Sequence, residues 1–405
     1  MIVPKLRFKY FDKNWSSKKL GDIFSFKNGL NASKEMYGNG VKFINVLDII
    51  NNNKITFDVI KECVEATSDQ ISSYKVNKWD VLFQRSSETR EEVGQANVYV
   101  DSETVLFGGF VIRARPFVEI SSVFLNFQLK TDRLRKDLTQ RSGGSTRYNI
   151  GQESLEKVTA FLPEIEEQTK IAEFLSSVEE KIMLLNNEYD LLCQYKKGMI
   201  QRIFSLKVRF KDEEGEEFPD WEKCELKKFL IPTLREVKKP NENFLSIGIR
   251  SHFKGTFHKG EQDPNKVSVD KLFLVHEGDF ILNITFAWEG ALAIARKEDH
   301  LGFVSHRFPT YTFKEEVITS EFFRYTYTLP NFSTYLELCS PGGAGRNRVL
   351  KKSEFLDIEI DRPCIAEQTK IANFLSAIDD KITAKKVQLD KLKTWKQGLL
   401  QQMFI

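Results

Sequence analysis

A stretch of forty-two residues occurs twice in this chain, and the repeat constrains the fold more than any other feature. Pro163 to Phe204 reads PEIEEQTKIAEFLSSVEEKIMLLNNEYDLLCQYKKGMIQRIF, and Pro363 to Phe404 reads PCIAEQTKIANFLSAIDDKITAKKVQLDKLKTWKQGLLQQMF. The copies lie 200 residues apart with no gap, and nineteen of the forty-two aligned positions are identical. A period of that length is too long for a solenoid and implies a duplicated unit.

Both copies carry helical spacing. Val178, Ile182, Leu185, Tyr189, Leu192, Lys196, Met199 and Ile203 step by four and three, as do Ile378, Ile382, Lys385, Leu389, Leu392, Lys396, Leu399 and Met403. One such stripe describes a helix lying on its own domain. Two describe a coiled-coil seam between the copies. Residues 161–205 sum to a charge of −3 and residues 361–405 to +3, which favours their pairing with each other. Ser176 with Glu179, and Ser376 with Asp379, have the form of capping boxes that would split off a short first helix. The four-three spacing nevertheless continues back through Leu175 and Ile171. An unbroken helix is expected from Val178 to Ile203, roughly 39 Å long at ~1.5 Å per residue.

The segment between the copies begins as the chain begins. Leu6-Arg7-Phe8-Lys9 precedes Trp15, and Val208-Arg209-Phe210-Lys211 precedes Trp221, so the repeating unit is a globular module followed by its helix. The expected organisation is a first module over 1–160, a helical region over 161–205, a second module over 206–360 and a second helical region over 361–405. At 405 residues, 41% of them apolar, two to three domains with packed cores are available. In each module an aspartate turn leads into an apolar run, KWDVLFQRSS from Lys78 and EGDFILNITF from Glu277, and a second strand pair follows, GGFVIRARP from Gly108 and GFVSHRFPTYTF from Gly302. These β-branched and aromatic runs predict α+β or α/β modules with mixed sheets.

No apolar run approaches eighteen residues, and the first residues lack an apolar core of signal-peptide length, from which a cytoplasmic protein is expected. Five cysteines with no C-x-x-C pair read as free thiols. The net charge of +3 does not by itself argue for nucleic acid, although residues 1–160 carry +5. A search for catalytic constellations returns little. All five histidines fall in the second module without metal-ligand spacing, and PDWEK at 219–223 lacks the second half of a nuclease carboxylate cluster. There is no glycine-rich S-adenosylmethionine loop and no Asn-Pro-Pro-aromatic element. Each module closes on a glycine turn holding arginine, RSGGSTRYNIGQESL from Arg141 and SPGGAGRNRVLKKSEFL from Ser340. Such a turn can present backbone N–H groups and a guanidinium fork to an anion, or be a plain solvated turn.

The order of module, EEQTKIAEFLS-type helix, module and EQTKIANFLS-type helix resembles the specificity subunit of a type I restriction-modification system over nearly the full length. The most specific parts are the P-x-x-x-E-Q-x-x-I-A-x-F-L-S segments at Pro163 and Pro363, with the module starts at Leu6 and Val208; the Asn283, Trp288, Gly290 run and the glycine turns also fit. The resemblance implies two target-recognition domains that each read one half of a split DNA site. It further implies two helical regions that pair antiparallel, set the spacing and dock two methyltransferase subunits, and a restriction subunit that translocates DNA. Cofactors would then belong to partners, S-adenosylmethionine to the methyltransferase and ATP with Mg to the restriction subunit, and none to this chain. The modules differ greatly between their shared landmarks, so unequal half-sites are expected.

The helix length of roughly 39 Å compares with ~34–36 Å for one DNA turn. Candidate DNA contacts are Arg85, Arg90, Arg147, Tyr148 and Asn149 in the first module and Asn283, Arg346, Asn347 and Arg348 in the second; candidate docking residues are Phe174, Leu175, Phe374 and Leu375. The alternatives are an adaptor whose coiled coil joins two protein-binding modules without DNA, and a fused restriction and modification enzyme, for which the motifs and length are missing.

Overall fold

Each repeated stretch forms one continuous helix, Ile165–Phe204 and Ile365–Met403. A computed structural model describes residues 3–342 and 348–404. They divide into two compact units, one running to Tyr189 and resuming at Lys385, the other spanning Asp190–Ala384. Each unit therefore holds a globular part, half of the first long helix and half of the second.

Every position of the four-three seam is buried or half-buried, while intervening residues such as Lys181, Met183 and Asn187 are exposed. Within the first unit the two half-helices run antiparallel, with Glu179 bound to Lys396 at 2.6 Å and Glu188 to Lys385 at 2.5 Å. Within the second unit Asp379 binds Lys196 at 2.5 Å and also accepts the Tyr325 hydroxyl at 2.9 Å. These bonds explain why no helix break occurs at Ser176 or Ser376. Glu179 and Asp379 have the spacing of capping residues, but their carboxylates take seam lysines of the opposite helix, and the backbone passes through as regular helix.

In the first unit a four-stranded antiparallel sheet runs in the order Phe24–Asn28, Val111–Pro116, Val81–Gln84, Ala96–Val98. The second unit repeats it as Leu230–Pro232, Thr310–Phe313, Phe280–Leu282, Leu292–Ile294. The central strand is buried on both faces. Val81 and Phe83 enter the core that also takes the helix residues Ile171, Leu175 and Val178, whereas Leu82 enters a second core with Ile44 and Tyr99. Phe280 and Leu282 likewise join the core containing Ile371, Leu375 and Ile378, and Ile281 a separate one. A second sheet accompanies each, three-stranded in the first unit and five-stranded in the second, with one parallel pair, Phe43 opposite Leu106 and Ser246 opposite Phe303. These accompanying sheets are mixed, and the fold is α+β.

One strand lies differently from its sequence reading. GFVSHRFPTYTF contributes two strands rather than one: Phe303–Val304 belongs to the five-stranded sheet, and the counterpart of Val111–Pro116 is Thr310–Phe313. Five residues between them, Ser305 to Pro309, lengthen the turn that Gly108-Gly109-Phe110 makes tightly in the first unit.

The aspartate turns are built alike. Trp79 and Gly278 have φ of 74° and 85°, so the second unit uses the residue that tolerates this conformation and the first strains a tryptophan into it. The following carboxylates are buried and satisfied: Asp80 accepts the Asn77 N–H and the Arg115 guanidinium, Asp279 the His276 N–H and Arg235.

The duplicated landmarks meet at the start of each long helix. Arg7 donates Nε and Nη2 to the two carboxylate oxygens of Glu167, both at 2.6 Å. Arg209 grips Glu367 in the same fork at 3.2 and 2.8 Å, and the Trp221 indole N–H donates to that carboxylate at 3.1 Å. Trp15 instead packs edge-on to Phe124 and Phe404. Gln168 and Gln368 donate to the carbonyls of Pro163 and Pro363 and accept the N–H of Ser121 and Thr319, each the cap of a short module helix. The strands Ser16–Lys19 and Glu222–Glu225 close each module by pairing with Thr159–Leu162 and Glu359–Arg362, immediately before the prolines.

Glu167 and Glu367 are fully buried, so removing one partner strands a charge. Arg7→Met is expected to cost about 3–5 kcal/mol, whereas Arg7→Met with Glu167→Met costs less than Arg7→Met alone. Urea midpoints of the parent, the two single variants and the double variant check this. A double variant less stable than both singles contradicts it.

Candidate nucleic-acid interface

In the first unit the end of strand Val81–Gln84, the short pair Ser86–Ser87 with Tyr148–Asn149, and the glycine turn form one cluster of loops. Arg85 sits at its centre. Its N–H donates to the Phe110 carbonyl at 2.8 Å, its carbonyl accepts the Ile150 N–H at 3.0 Å, and its Nη1 reaches the Gly109 carbonyl at 3.3 Å. Asn149 is tied to Ser86 through their side chains and to Gly143 through both backbone groups. Gly144, at φ 126°, lies against the Arg147 carbonyl where any Cβ would collide, which is why this turn needs glycine. Arg147 is left exposed at its tip, and Tyr148 is half-buried against the core. Arg90 is exposed on the neighbouring loop, its Nε on the Thr139 carbonyl at 3.1 Å. The structure thus brings Arg85, Tyr148 and Asn149 together, with Arg90 and Arg147 around them. Glu88, Glu91 and Glu92 share the Arg90 loop, so its charge is mixed.

The second unit uses the same frame with other side chains. The Leu350 N–H donates to the Ile284 carbonyl at 2.8 Å as Ile150 does to Arg85, which places Ile284 where the first unit has Arg85 and Arg348 where it has Tyr148. Asn283 turns its amide oxygen to the Thr285 N–H at 3.0 Å and so shapes the loop. Trp288 donates to the Thr285 carbonyl, and the Arg348 guanidinium lies 5.0 Å from the centre of the Trp288 ring. Gly290, at φ 75°, ends that turn with the Phe253 ring packed where a Cβ would sit. These contacts account for the Asn283, Trp288, Gly290 run as one folded loop. Arg346 and Asn347 lie outside the described residues.

The docking candidates are largely consumed by their own units. Leu175 and Leu375 are fully buried core residues, which corrects the expectation that they stand free for a partner. The helix face bearing them packs on the module. Phe174 is half-buried, edge-on to Phe8 and Trp395, and Phe374 is edge-on to Phe210. Several apolar side chains stay exposed on the helices, among them the aromatic pair Trp395 at 49% and, at the equivalent repeat position, Tyr195 at 51%. Sequence periodicity pointed away from them because they fall off the seam.

A basic cleft was also not foreseen. A cavity of about 650 Å³ in the first unit is lined by Lys130, Thr131, Arg133 and Lys396 among others. Burial pushes the Lys130 ammonium down to about 8, with Lys396 and Lys54 adding to the effect and Glu179 opposing it. Its Nζ donates to the Asn53 carbonyl at 3.2 Å. Among the described residues no three His, Cys, Asp or Glu side chains group as a metal site requires, and no helix is long and apolar enough to cross a membrane.

Two units that repeat one sheet, one loop cluster and one long helix define a duplicated recognition protein. The family model of the type I restriction modification DNA specificity domain matches residues 12–193 and 221–394, and the chain belongs to that family. It carries two specificity domains and is a specificity subunit, not a catalytic one. Among curated proteins of Methanocaldococcus jannaschii it is 27% identical to one provisionally named the type I restriction enzyme MjaX specificity subunit, over 96% of this chain and 92% of that protein. It is 22% identical to the type I restriction enzyme MjaVIII specificity subunit over 96% and 91% of the two chains. In fold it is similar to the crystal structure of the type I restriction-modification system S subunit from M. genitalium, with a TM-score of 0.62 at 14% identity, covering 100% of this chain and 99% of that one.

The depressed Lys130 has a consequence for stability. Because the folded state releases this proton near pH 8 and the unfolded chain only near its ordinary 10.5, the unfolded state binds more protons between those values and stability rises with pH there. Lys130→Met should therefore melt higher than the parent at pH 7, by on the order of 1 kcal/mol, with the gap closing toward pH 10. Parallel thermal melts at the two pH values test this, and a gap independent of pH contradicts it.

Proposed function

We propose that each unit reads one half of a split duplex DNA site, and that the chain directs methyltransferase and restriction subunits to that site. One observation carries the reading: two loop clusters are anchored by the same pair of backbone bonds, at Arg85 and at Ile284, yet differ at equivalent positions, Arg85 against Ile284 and Tyr148 against Arg348. A common frame suits a common duplex geometry, and divergent side chains suit two unequal sequences. The exposed arginines Arg90 and Arg147 supply phosphate contacts for register, Arg85 and Asn149 base contacts in the first half-site, and Arg348, with Asn347 and Arg346, those in the second. The protein-adaptor reading has no comparable support, since membership of the DNA specificity family weighs against it.

The paired helices serve as spacer and as the docking surface for two methyltransferase subunits. Trp395 and Tyr195, half-exposed aromatics at equivalent positions, are the anchors, with Phe174 edge-on to Trp395 and Phe374 at the repeat position equivalent to Phe174. S-adenosylmethionine then belongs to the methyltransferase partner, ATP and Mg to the restriction partner, and the complex works on DNA in the cytoplasm.

Mixing the purified chain with a methyltransferase subunit and random-sequence duplexes tests this. The bound pool should converge on a bipartite motif with two different half-sites and a fixed gap, and two methyltransferase copies should bind per chain. Trp395→Glu with Tyr195→Glu should lower that stoichiometry while the chain stays folded. A pool without a motif contradicts the DNA reading, and unchanged stoichiometry places docking elsewhere.

A further inference from the structure

Phe110 and Arg307, neither of them among the candidate DNA contacts read from the sequence, occupy the same point of the duplicated frame. Gln84 stands opposite Val111 at the end of one antiparallel ladder, and Ile281 opposite Thr310 near the end of the other. Past those pairs the first ladder ends on Arg85 N–H to the Phe110 carbonyl at 2.8 Å, and the second continues through Leu282 N–H to the Pro309 carbonyl at 3.4 Å and ends on Ile284 N–H to the Arg307 carbonyl at 3.1 Å. Arg85 therefore faces Phe110, and Ile284 faces Arg307, each as a cross-strand pair on one face of its sheet.

The backbone at these points is fixed in the same way. Phe110 is the third residue of a turn closed by the Val111 N–H on the Gly108 carbonyl at 2.9 Å, and Arg307 the third residue of one closed by Phe308 on Ser305, also at 2.9 Å. Phe110 is 64% exposed, and Arg307 is exposed as well. Arg85 and Ile284 beneath them are half-buried, Ile284 packing on its unit's core. Each pair thus joins one cation and one apolar side chain, with the order inverted: cation inside and phenyl outside in the first unit, aliphatic inside and cation outside in the second.

We infer that Phe110 and Arg307 are base-reading residues, one for each half-site, an inference that rests on the DNA reading above. A position that only holds phosphate needs a donor or cation in both units, and a phenyl ring cannot serve. A position that reads bases changes with the sequence read. An exposed phenyl beside a guanidinium fits the methyl edge of thymine in the major groove, and an exposed guanidinium fits guanine O6 and N7. Held on closed turns, both side chains meet the duplex with little ordering left to do.

The test uses the full chain with its methyltransferase partner and random-sequence duplexes, comparing the parent with Phe110→Ala, Arg307→Ala and the exchange Phe110→Arg with Arg307→Phe. Phe110→Ala should relax discrimination at one position of one half-site by roughly 5- to 150-fold and leave the other half-site intact, and Arg307→Ala should do the reverse. The exchange should change the preferred base in both half-sites. Because both side chains are exposed, unchanged methyltransferase stoichiometry and melting temperature should accompany these effects. A parent that selects a motif which every variant keeps overturns this assignment alone, as does weakening uniform over all sequences. A parent that selects no motif overturns the DNA reading and this assignment with it.

Discussion

A buried carboxylate at the start of each long helix organises its unit. Glu167 and Glu367 are wholly removed from water, and such a charge persists only where donors meet it. Arg7 and Arg209 supply a fork from the segment leading into each module, and the adjacent Gln168 and Gln368 bind the module's helix cap and the backbone of the preceding proline. Two segments distant in sequence, together with the proline just before the helix, are thereby fixed to its first turn. The two sequence landmarks that recur, the L/V-R-F-K start and the P-x-x-x-E-Q segment, are the two sides of this one contact.

From that joint the helix carries its seam outward. Leu175 and Leu375 fall on the face turned to the module, while farther along Glu179 and Glu188 meet Lys396 and Lys385 of the other helix, so one amphipathic helix serves two partners along its length. Acidic Glu179 and Asp379 opposite seam lysines add ion pairs that an all-leucine seam would lack, and charged pairs along a helix seam help to specify register.

The seam was legible because eight evenly spaced positions repeat in both copies, and periodicity summed over that length outweighs a local cap signal at Ser176. Docking residues were not legible at Leu175 and Leu375, since an apolar residue in a repeat looks the same whether it meets its own core or a partner. The glycine turn was legible at Gly144, where the backbone demands glycine, and its arginines followed. Phe110 escaped notice for a physical reason: exposure of a single phenylalanine in a run such as GGFVIRARP is set by the ladder's end, which composition does not mark. The ladder's end became visible only through the Arg85 N–H bond to the Phe110 carbonyl, which the Ile284 bond to Arg307 repeats in the second unit. Strand Thr310–Phe313 was displaced in the reading by the five-residue extension before it, because strand patterning locates apolar runs but not how many sheets they enter.

The two halves of each long helix fold into different units, so under the proposed reading the length of the pair sets how two half-sites are spaced. Inserting four residues after Asn187 and four after Val387 adds about 6 Å to each helix at ~1.5 Å per residue, close to one turn, and preserves the seam's phase. Duplex selection with the lengthened chain and its methyltransferase partner should return both half-site sequences unchanged, separated by a gap wider by up to about two base pairs at ~3.4 Å per pair. Selection of the parental gap would contradict a helical spacer joining two independent readers.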